Sequence, residues 1–172
     1  MKHILIISSH APSLFNFRLP LIKELLHKGN KVTVASTKYK FTENLKDKLK
    51  DLGIDFKIFA LSRSGLNLYQ DLKLHHRVNL QHYKSYREIS GLLQSCKPDI
   101  VIAYTAKPVI YTGIILKNFP KIKYYPMITG LGYSFTENNS LKRKILKLLM
   151  IRLYVMGLKN ATRVIFQNKD DK

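Results

Sequence analysis

The sequence has a single cysteine, Cys96, in 172 residues, and it has no long apolar run. One cysteine excludes an internal disulfide and a cysteine-based metal cluster, and we expect it to be a buried or half-buried apolar side chain. No stretch approaches the roughly 20 apolar residues of a membrane span. The apolar run Ile4–Ile7 is too short for a secretory signal core. We therefore expect a cytoplasmic protein with no metal site.

Acidic residues are also scarce, with 11 Asp and Glu against 30 Lys and Arg and a formal charge of +19. Such a charge favours polyanionic partners, whether nucleic acid, anionic lipid or phosphorylated substrate. We expect no nucleic-acid partner, because the tyrosines near basic residues also fit a helix face and a strand end. Between Asn138 and Lys169 every charged residue is basic: Lys142, Arg143, Lys144, Lys147, Arg152, Lys159, Arg163 and Lys169. This run is either an ordinary solvated face or a surface for a polyanion.

Glycine is absent from the first 28 residues. A nicotinamide cofactor would need G-x-G-x-x-G between the first strand and the first helix, so that function is excluded. The phosphate-binding motif G-x-x-x-x-G-K-[ST] is absent from the whole sequence.

Short β-branched runs alternate with longer amphipathic ones, which predicts an α/β, Rossmann-like parallel sheet of about six strands with helices on both faces. The predicted strands are Ile4–Ser8, Lys31–Ser36, Asp55–Leu61, Asp99–Tyr104, Lys123–Ile128 and Arg163–Gln167. The predicted helices are Phe17–His27, Phe41–Asp51, Leu68–Gln94, Val109–Asn118 and Ser140–Leu158. Gly29 and Gly53 stand where helix C-caps are expected, and Gly91 is a weak point at which the third helix could end early.

Ligands of open α/β sheets bind outside the carboxyl ends of the strands, so the loops that follow the strands predict the site. Arg18, Arg63 and Lys107 could each hold an anion there: Arg18 in the first turn of a helix, Arg63 beside Gly65, and Lys107 at a helix start. His10 is either a loop-bridging side chain or a functional one. The pair Gly130 and Gly132 permits close approach to a ligand but also makes ordinary turns.

Four of these loop segments, SHAPSLFNFRLPLIKEL, SRSGLN, AKPVIYTG and ITGLGYSFT, together resemble the N-terminal domain of bacterial family-4 glycosyltransferases of the two-domain GT-B type. The resemblance implies an enzyme that extends lipid-linked saccharides for glycoprotein glycans, capsule or O-antigen (lipopolysaccharide). The implied acceptor is a polyprenyl-diphosphate-linked (undecaprenyl) saccharide. The implied donor is a UDP-activated hexose or N-acetylhexosamine. Transfer would retain the anomeric configuration without a metal or other cofactor.

The resemblance also implies roles for individual residues. The first-loop segment His10–Asn16 would border the donor diphosphate and the acceptor sugar, with His10, Ser13 and Asn16 as the candidate binding residues. Arg18, Arg63 and Lys107 would bind the acceptor's diphosphate or hydroxyls, and the cleft would be lined by Thr129, Gly130 and Gly132. Two features depart from the family: the first loop lacks its glycine pair, and Thr129-Gly130 stands where many relatives have a histidine.

Residues 1–172 are accordingly expected to form the N-terminal acceptor-binding domain, with the C-terminal donor domain absent and the chain alone inactive. The alternative is a non-catalytic subunit that recruits a separate donor-binding chain to the membrane. In either case we expect peripheral attachment to the inner face of the cytoplasmic membrane through Lys142, Arg143, Lys144 and Lys147. A core helix with snorkelling Lys and Arg stems remains the other interpretation of this segment.

Overall fold

The sheet has six parallel strands in the order β3-β2-β1-β4-β5-β6. The structure is a computed structural model, and it describes residues 1–39, 42–61, 80–130 and 141–168. The strands are β1 His3–Ser8, β2 Lys31–Ser36, β3 Asp55–Ile58, β4 Ile100–Tyr104, β5 Lys123–Ile128 and β6 Ile165–Phe166. This order and direction confirm the predicted Rossmann-like α/β class.

Helices connect the strands. The first element, α1, consists of Ala11–Ser13, a π-helical turn over Leu14–Arg18 and the α-helical Leu19–His27. The others in the described part of the chain are α2 Thr42–Asp51, α3 Leu80–Cys96, α4 Ala106–Leu116 and α5 Leu141–Leu158. No helix within these described ranges combines the length and apolar character needed to cross a membrane.

A hydrophobic core lies on each face of the sheet, between the strands and the helices. β1 contributes Leu5 and Ile7 to the core beneath α3, α4 and α5, and Ile4 and Ile6 to the core on the other face. Successive residues of a strand point to opposite faces, so a central strand buried on both sides must be apolar throughout. This requirement is why the continuous run Ile4–Ile7 predicts β1 correctly.

Several predicted boundaries were wrong. β3 ends at Ile58 rather than Leu61, and β6 has two residues instead of five. The first helix begins at Ala11, with Pro12 in its first turn, instead of at Phe17. The fourth begins at Ala106 instead of Val109. The third does not end early at Gly91 but continues to Cys96, while residues 68–79 of its predicted range lie outside the described residues.

Other local predictions are confirmed. Gly29 and Gly53 follow helix ends with φ of 74° and 73°, the left-handed conformation of a helix C-cap. Cys96 is half-buried at the end of α3 and touches the core.

A glycine pair lets α5 lie directly against α4. A Cβ placed on Gly113 would lie 1.6 Å from the carbonyl oxygen of Gly157, and one on Gly157 would lie 2.7 Å from Cα of Ile110. Asn160 then donates a side-chain hydrogen bond of 3.2 Å to the Gly113 carbonyl. This backbone contact fixes the position of α5, whose first turn follows the carboxyl end of β5.

Candidate functional site

The strand order reverses around β1, whose neighbours are β2 and β4, and this switch point is where a doubly wound sheet opens a ligand crevice. Hydrogen bonds join the three loops that leave these strands. Ser9 Oγ lies 2.8 Å from Thr105 Oγ1, and Thr37 Oγ1 donates to the Ser9 carbonyl at 2.8 Å. The loops after β1, β2 and β4 therefore form one connected floor at the carboxyl edge.

His10 occupies the N-cap of α1, and its main chain is the polar centre of this turn. Its N–H donates to Ser8 Oγ at 3.1 Å, while its carbonyl accepts a 2.6 Å bond from Ser13 Oγ. The imidazole is exposed and meets the Tyr39 ring edge-on, with centroids 5.7 Å apart. Ser13 thus has a structural role in the turn, while the His10 ring is exposed beside Tyr39.

The π-helical turn over Leu14–Arg18 has a local cause. Pro20 has no N–H and cannot continue the α-helical ladder, so the α-helix restarts at Leu19 with the proline in its first turn. Because the helical element starts at Ala11, Arg18 lies at the end of the π-turn and not in a first turn as predicted. π-Turns occur frequently at functional sites.

Arg18 is nevertheless held at the carboxyl edge. Its Cζ lies 5.0 Å from the centroid of the Tyr104 ring, and its Nη2 donates to Gln167 Oε1 at 2.8 Å. The Arg18 Nε is buried and has no hydrogen-bond partner among the described residues. An unsatisfied guanidinium donor is costly in a buried position, and an oxyanion is the ligand that would satisfy it best.

Tyr104 ends β4 and forms the face on which Arg18 rests. The ring is buried, and burial raises the pKa of its phenol, although contacts with Ser13 and Ser8 and the nearby Arg18 charge oppose this shift. Tyr104 Oη lies 3.4 Å from Ser13 Oγ. The phenol therefore stays protonated at neutral pH and can donate a hydrogen bond.

Lys107 lies in the first turn of α4, beside a strained residue. Thr105 has a φ of 70°, a value that β-branched residues rarely adopt, and it is the N-cap of α4. Strain of this kind persists only where surrounding contacts hold it, here the bond from Ser9, and it concentrates at functional sites. Lys107 is half-buried and lies at a helix start, the position that the sequence predicts for it.

An open cavity of about 420 Å³ lies between α1 and α2. Three of its lining residues come from the predicted first-loop segment 10–16, and the four from residue 39 onward were not predicted. The lining residues are Pro12, Phe15, Asn16, Tyr39, Asn44, Leu45 and Lys48. The Lys48 ammonium stands 5.9 Å from the Phe15 ring centroid. The available signal was the position of Tyr39, three residues after the end of β2, in a loop from which no site residue was predicted.

Thr129 and Gly130 follow β5 at the same edge. Gly130 is exposed with a φ of 139°, a conformation that favours glycine. The Gln167 N–H donates to the Ile128 carbonyl at 3.0 Å, so the residue that holds Arg18 also adjoins Thr129. Arg63 and Gly132 lie outside the described residues.

Of the predicted membrane-surface residues, Lys144 and Lys147 are exposed on α5. Lys142 and Arg143 lie in the first turn of α5, and their side chains are outside the described set. Within the described ranges, no three His, Cys, Asp or Glu side chains are grouped so that they could hold a metal ion.

Comparison with known proteins identifies the class. Residues 3–168 match the model of the family described as glycosyl transferase 4-like. The chain belongs to this glycosyl transferase 4-like family. It is 27% identical over 165 residues to N,N'-diacetylbacillosaminyl-diphospho-undecaprenol alpha-1,3-N-acetylgalactosaminyltransferase of Campylobacter jejuni. That alignment covers 95% of this chain and 39% of the relative, so the chain spans about two fifths of the relative's length.

Solved structures agree on the fold. Phytolacca americana UGT2 superposes with a TM-score of 0.60 at 12% identity, covering 99% of this chain and 47% of that one. MurG of Acinetobacter baumannii superposes with a TM-score of 0.58 at 14% identity, covering 96% and 41%. At these identities the likeness establishes the GT-B-type Rossmann-like fold.

Proposed function

We propose that this chain is the acceptor-binding domain of a retaining glycosyltransferase. The enzyme transfers a hexose or N-acetylhexosamine from a UDP-sugar to a polyprenyl-diphosphate-linked saccharide. The product is used to build a cell-surface glycan. The family match supports the transferase class, and the Campylobacter relative supports the acceptor class because its name specifies a diphospho-undecaprenol substrate.

Arg18 is the residue we assign to the acceptor's diphosphate. Its charge is fixed on the Tyr104 ring and by Gln167, and its buried Nε still lacks an acceptor. Preorganised guanidinium donors bind phosphate strongly because little side-chain entropy remains to be lost. Lys107 and the first turn of α4 add positive potential on the neighbouring loop.

The saccharide itself would lie toward the cavity between α1 and α2. Phe15 and Tyr39 offer apolar ring faces, while Asn16, Asn44 and Lys48 offer hydrogen-bonding groups. Mixed apolar and polar linings of this kind are typical of small-ligand sites. The exposed His10 ring, next to Tyr39, would border the reacting groups.

The UDP-sugar would be bound mainly by a second, donor-binding domain. Alignments that cover 39% to 47% of the relatives and neighbours fit one domain of a two-domain enzyme. We place the enzyme at the inner face of the cytoplasmic membrane, where its lipid-linked acceptor would be.

The test is a transfer assay with protein from the complete reading frame, a panel of UDP-sugars and a polyprenyl-diphosphate saccharide. We expect one UDP-sugar to be used, and Arg18→Gln to lower transfer by about 10-fold to 100-fold, the effect of losing a charge-assisted hydrogen bond. The matched control is Arg163→Gln, which removes an exposed arginine ahead of β6. Absence of transfer with every donor would contradict the proposed glycosyltransferase activity and favour the alternative of a non-catalytic recruiting subunit.

A further inference from the structure

Helix α5 has two apolar faces, and the domain covers one of them. Met150, Tyr154 and Gly157 face inward, where Met150 and Tyr154 join the core and Gly157 meets α4. The outward face is exposed, reaching 72% for Leu141 and 64% for Val155. The large exposed apolar side chains of α5 are Leu141, Ile145, Leu148, Ile151, Val155 and Met156.

These six side chains form a continuous stripe. At 3.6 residues per turn they fall within an arc of about 140° along a helix about 27 Å long. A surface helix normally presents polar residues to water, and contiguous exposed apolar patches mark interaction sites. The stripe therefore predicts a partner.

The charges on this face indicate which partner. Lys144 and Arg152 lie inside the same arc and are exposed, so two cations stand within the apolar stripe. The sequence has no acidic residue from Asn138 to Lys169. A second copy of this chain would bring like charges together, whereas an anionic bilayer offers both a hydrocarbon layer and negative headgroups.

We propose that the outward face of α5 lies in the interface of an anionic lipid bilayer. Leu141, Ile145, Leu148 and Val155 enter the headgroup and acyl boundary, while Lys144 and Arg152 bind lipid phosphates. The proposal deepens the proposed function and rests on it for the identity of the lipid-linked substrate. Binding of α5 to lipid is measurable without sugar transfer, so the two claims can fail separately.

The topology gives this attachment a direction. α5 follows β5 and returns to β6, which is parallel to β5, so its first turns lie toward the carboxyl edge of the sheet. The site around Arg18 lies at that same edge. Membrane contact through the basic first half of α5 thus brings the diphosphate-binding edge toward the headgroups that surround a lipid-linked acceptor.

The test is sedimentation of the protein from the complete reading frame with vesicles of phosphatidylcholine, with and without 30 per cent phosphatidylglycerol. Binding should require the anionic lipid and weaken as salt increases. Lys144→Gln with Arg152→Gln should weaken binding about 25-fold, since each basic residue near the surface contributes about fivefold. The matched control is Lys117→Gln with Lys121→Gln, which removes two exposed charges elsewhere.

Apolar insertion needs its own variants. Leu148→Ser with Val155→Ser should weaken binding at least about tenfold while leaving its salt dependence intact. Leu52→Ser with Ile58→Ser, two exposed side chains outside α5, should leave binding unchanged. Thermal unfolding checks that each variant is folded.

Three outcomes would overturn the proposal. The first is equal loss of binding in the α5 and control charge variants, which would mean attraction by net charge alone. The second is unchanged binding in the Leu148 and Val155 variant. The third is a stable dimer that dissociates on the same substitution, which would assign the face to a second copy.

Discussion

Replacing Gly113 by alanine tests the contact that sets the position of α5. The added Cβ would lie 1.6 Å from the carbonyl oxygen of Gly157 and 2.6 Å from its carbonyl carbon. Comfortable separations of carbon from other heavy atoms are about 3.5 Å. Because the neighbour is backbone and cannot rotate away, α5 as a whole must move by about 1.5 Å or more.

The cost can be bounded from the structure. Overpacking of a tight core typically costs about 1 to 3 kcal/mol, and a clash with backbone belongs at or above the upper end. Because alanine has a higher helix propensity than glycine, the substitution also gains about 0.5 to 1 kcal/mol, which offsets part of this cost. We expect a net loss of about 2 kcal/mol or more. For Gly157→Ala the overlap is smaller, because its Cβ would be 2.7 Å from Cα of Ile110, and we expect a net loss of about 1 kcal/mol.

Gly91→Ala is the matched control, because Gly91 is also in a helix and its Cβ would meet nothing within 4 Å. It should stabilise the protein by about 0.5 to 1 kcal/mol. Urea unfolding followed by circular dichroism measures the free energy of unfolding of all three variants. We expect the urea midpoint to shift and the slope of the free energy against urea concentration to stay unchanged. Equal stability of Gly113→Ala and Gly91→Ala would refute the close crossing.

Three further predictions concern other contacts. Tyr124→Phe removes the buried 2.6 Å bond to the Val109 carbonyl and should lower the free energy of unfolding by about 1 kcal/mol, measured in urea. Burial lowers the pKa of His3, and the nearby charge of Lys31 lowers it further. The native state therefore binds the imidazole proton less tightly than the unfolded chain does. The stability that His3 contributes is full above its ordinary pKa of 6.5 and is lost as the pH falls below it. His3→Gln should therefore flatten the pH dependence of unfolding in that range. Gln167→Leu frees Arg18 without removing its charge and should weaken acceptor use by about threefold to tenfold in the transfer assay, less than Arg18→Gln does.

Each of these has a contradicting result. Unchanged stability of Tyr124→Phe would mean that the phenol bond contributes nothing. An identical pH slope in His3→Gln would assign the acid sensitivity to other groups. A larger loss in Gln167→Leu than in Arg18→Gln would mean that Gln167, and not Arg18, meets the substrate.

The centre of the sheet could be predicted because strands β1, β2 and β4 are buried on both sides. Ile4–Ile7 and the other β-branched runs can satisfy that environment only as central parallel strands, and the two C-cap glycines end helices for local steric reasons. The carboxyl-edge loops could be predicted for the same reason, since topology alone places them together.

The geometry of Arg18 could not be predicted in this way. Its partner Gln167 is 149 residues away, and its position depends on a π-turn that Pro20 induces. The sequence prediction placed Arg18 at this edge because it follows β1, but it wrongly put Arg18 in the first turn of a helix. Pair contacts of such long sequence separation follow from tertiary packing and leave no local periodic signal.

The outward face of α5 was hidden by a different effect. The helix is apolar on two opposite sides, so its periodicity does not separate a core face from an exposed one. Only the packing of Gly157 on α4 decides which side is inside. The core-helix interpretation fits the inward face, where Met150 and Tyr154 join the core, but it does not account for the exposed apolar side chains on the outward face.

The most direct test of the acceptor-binding assignment is the affinity of the protein for a short-chain polyprenyl-diphosphate saccharide, measured by calorimetry in detergent. We predict saturable binding that weakens about 10-fold to 100-fold in Arg18→Gln and stays unchanged in Arg163→Gln. Equal affinity in the wild type and Arg18→Gln would contradict a diphosphate site at the carboxyl edge of this sheet.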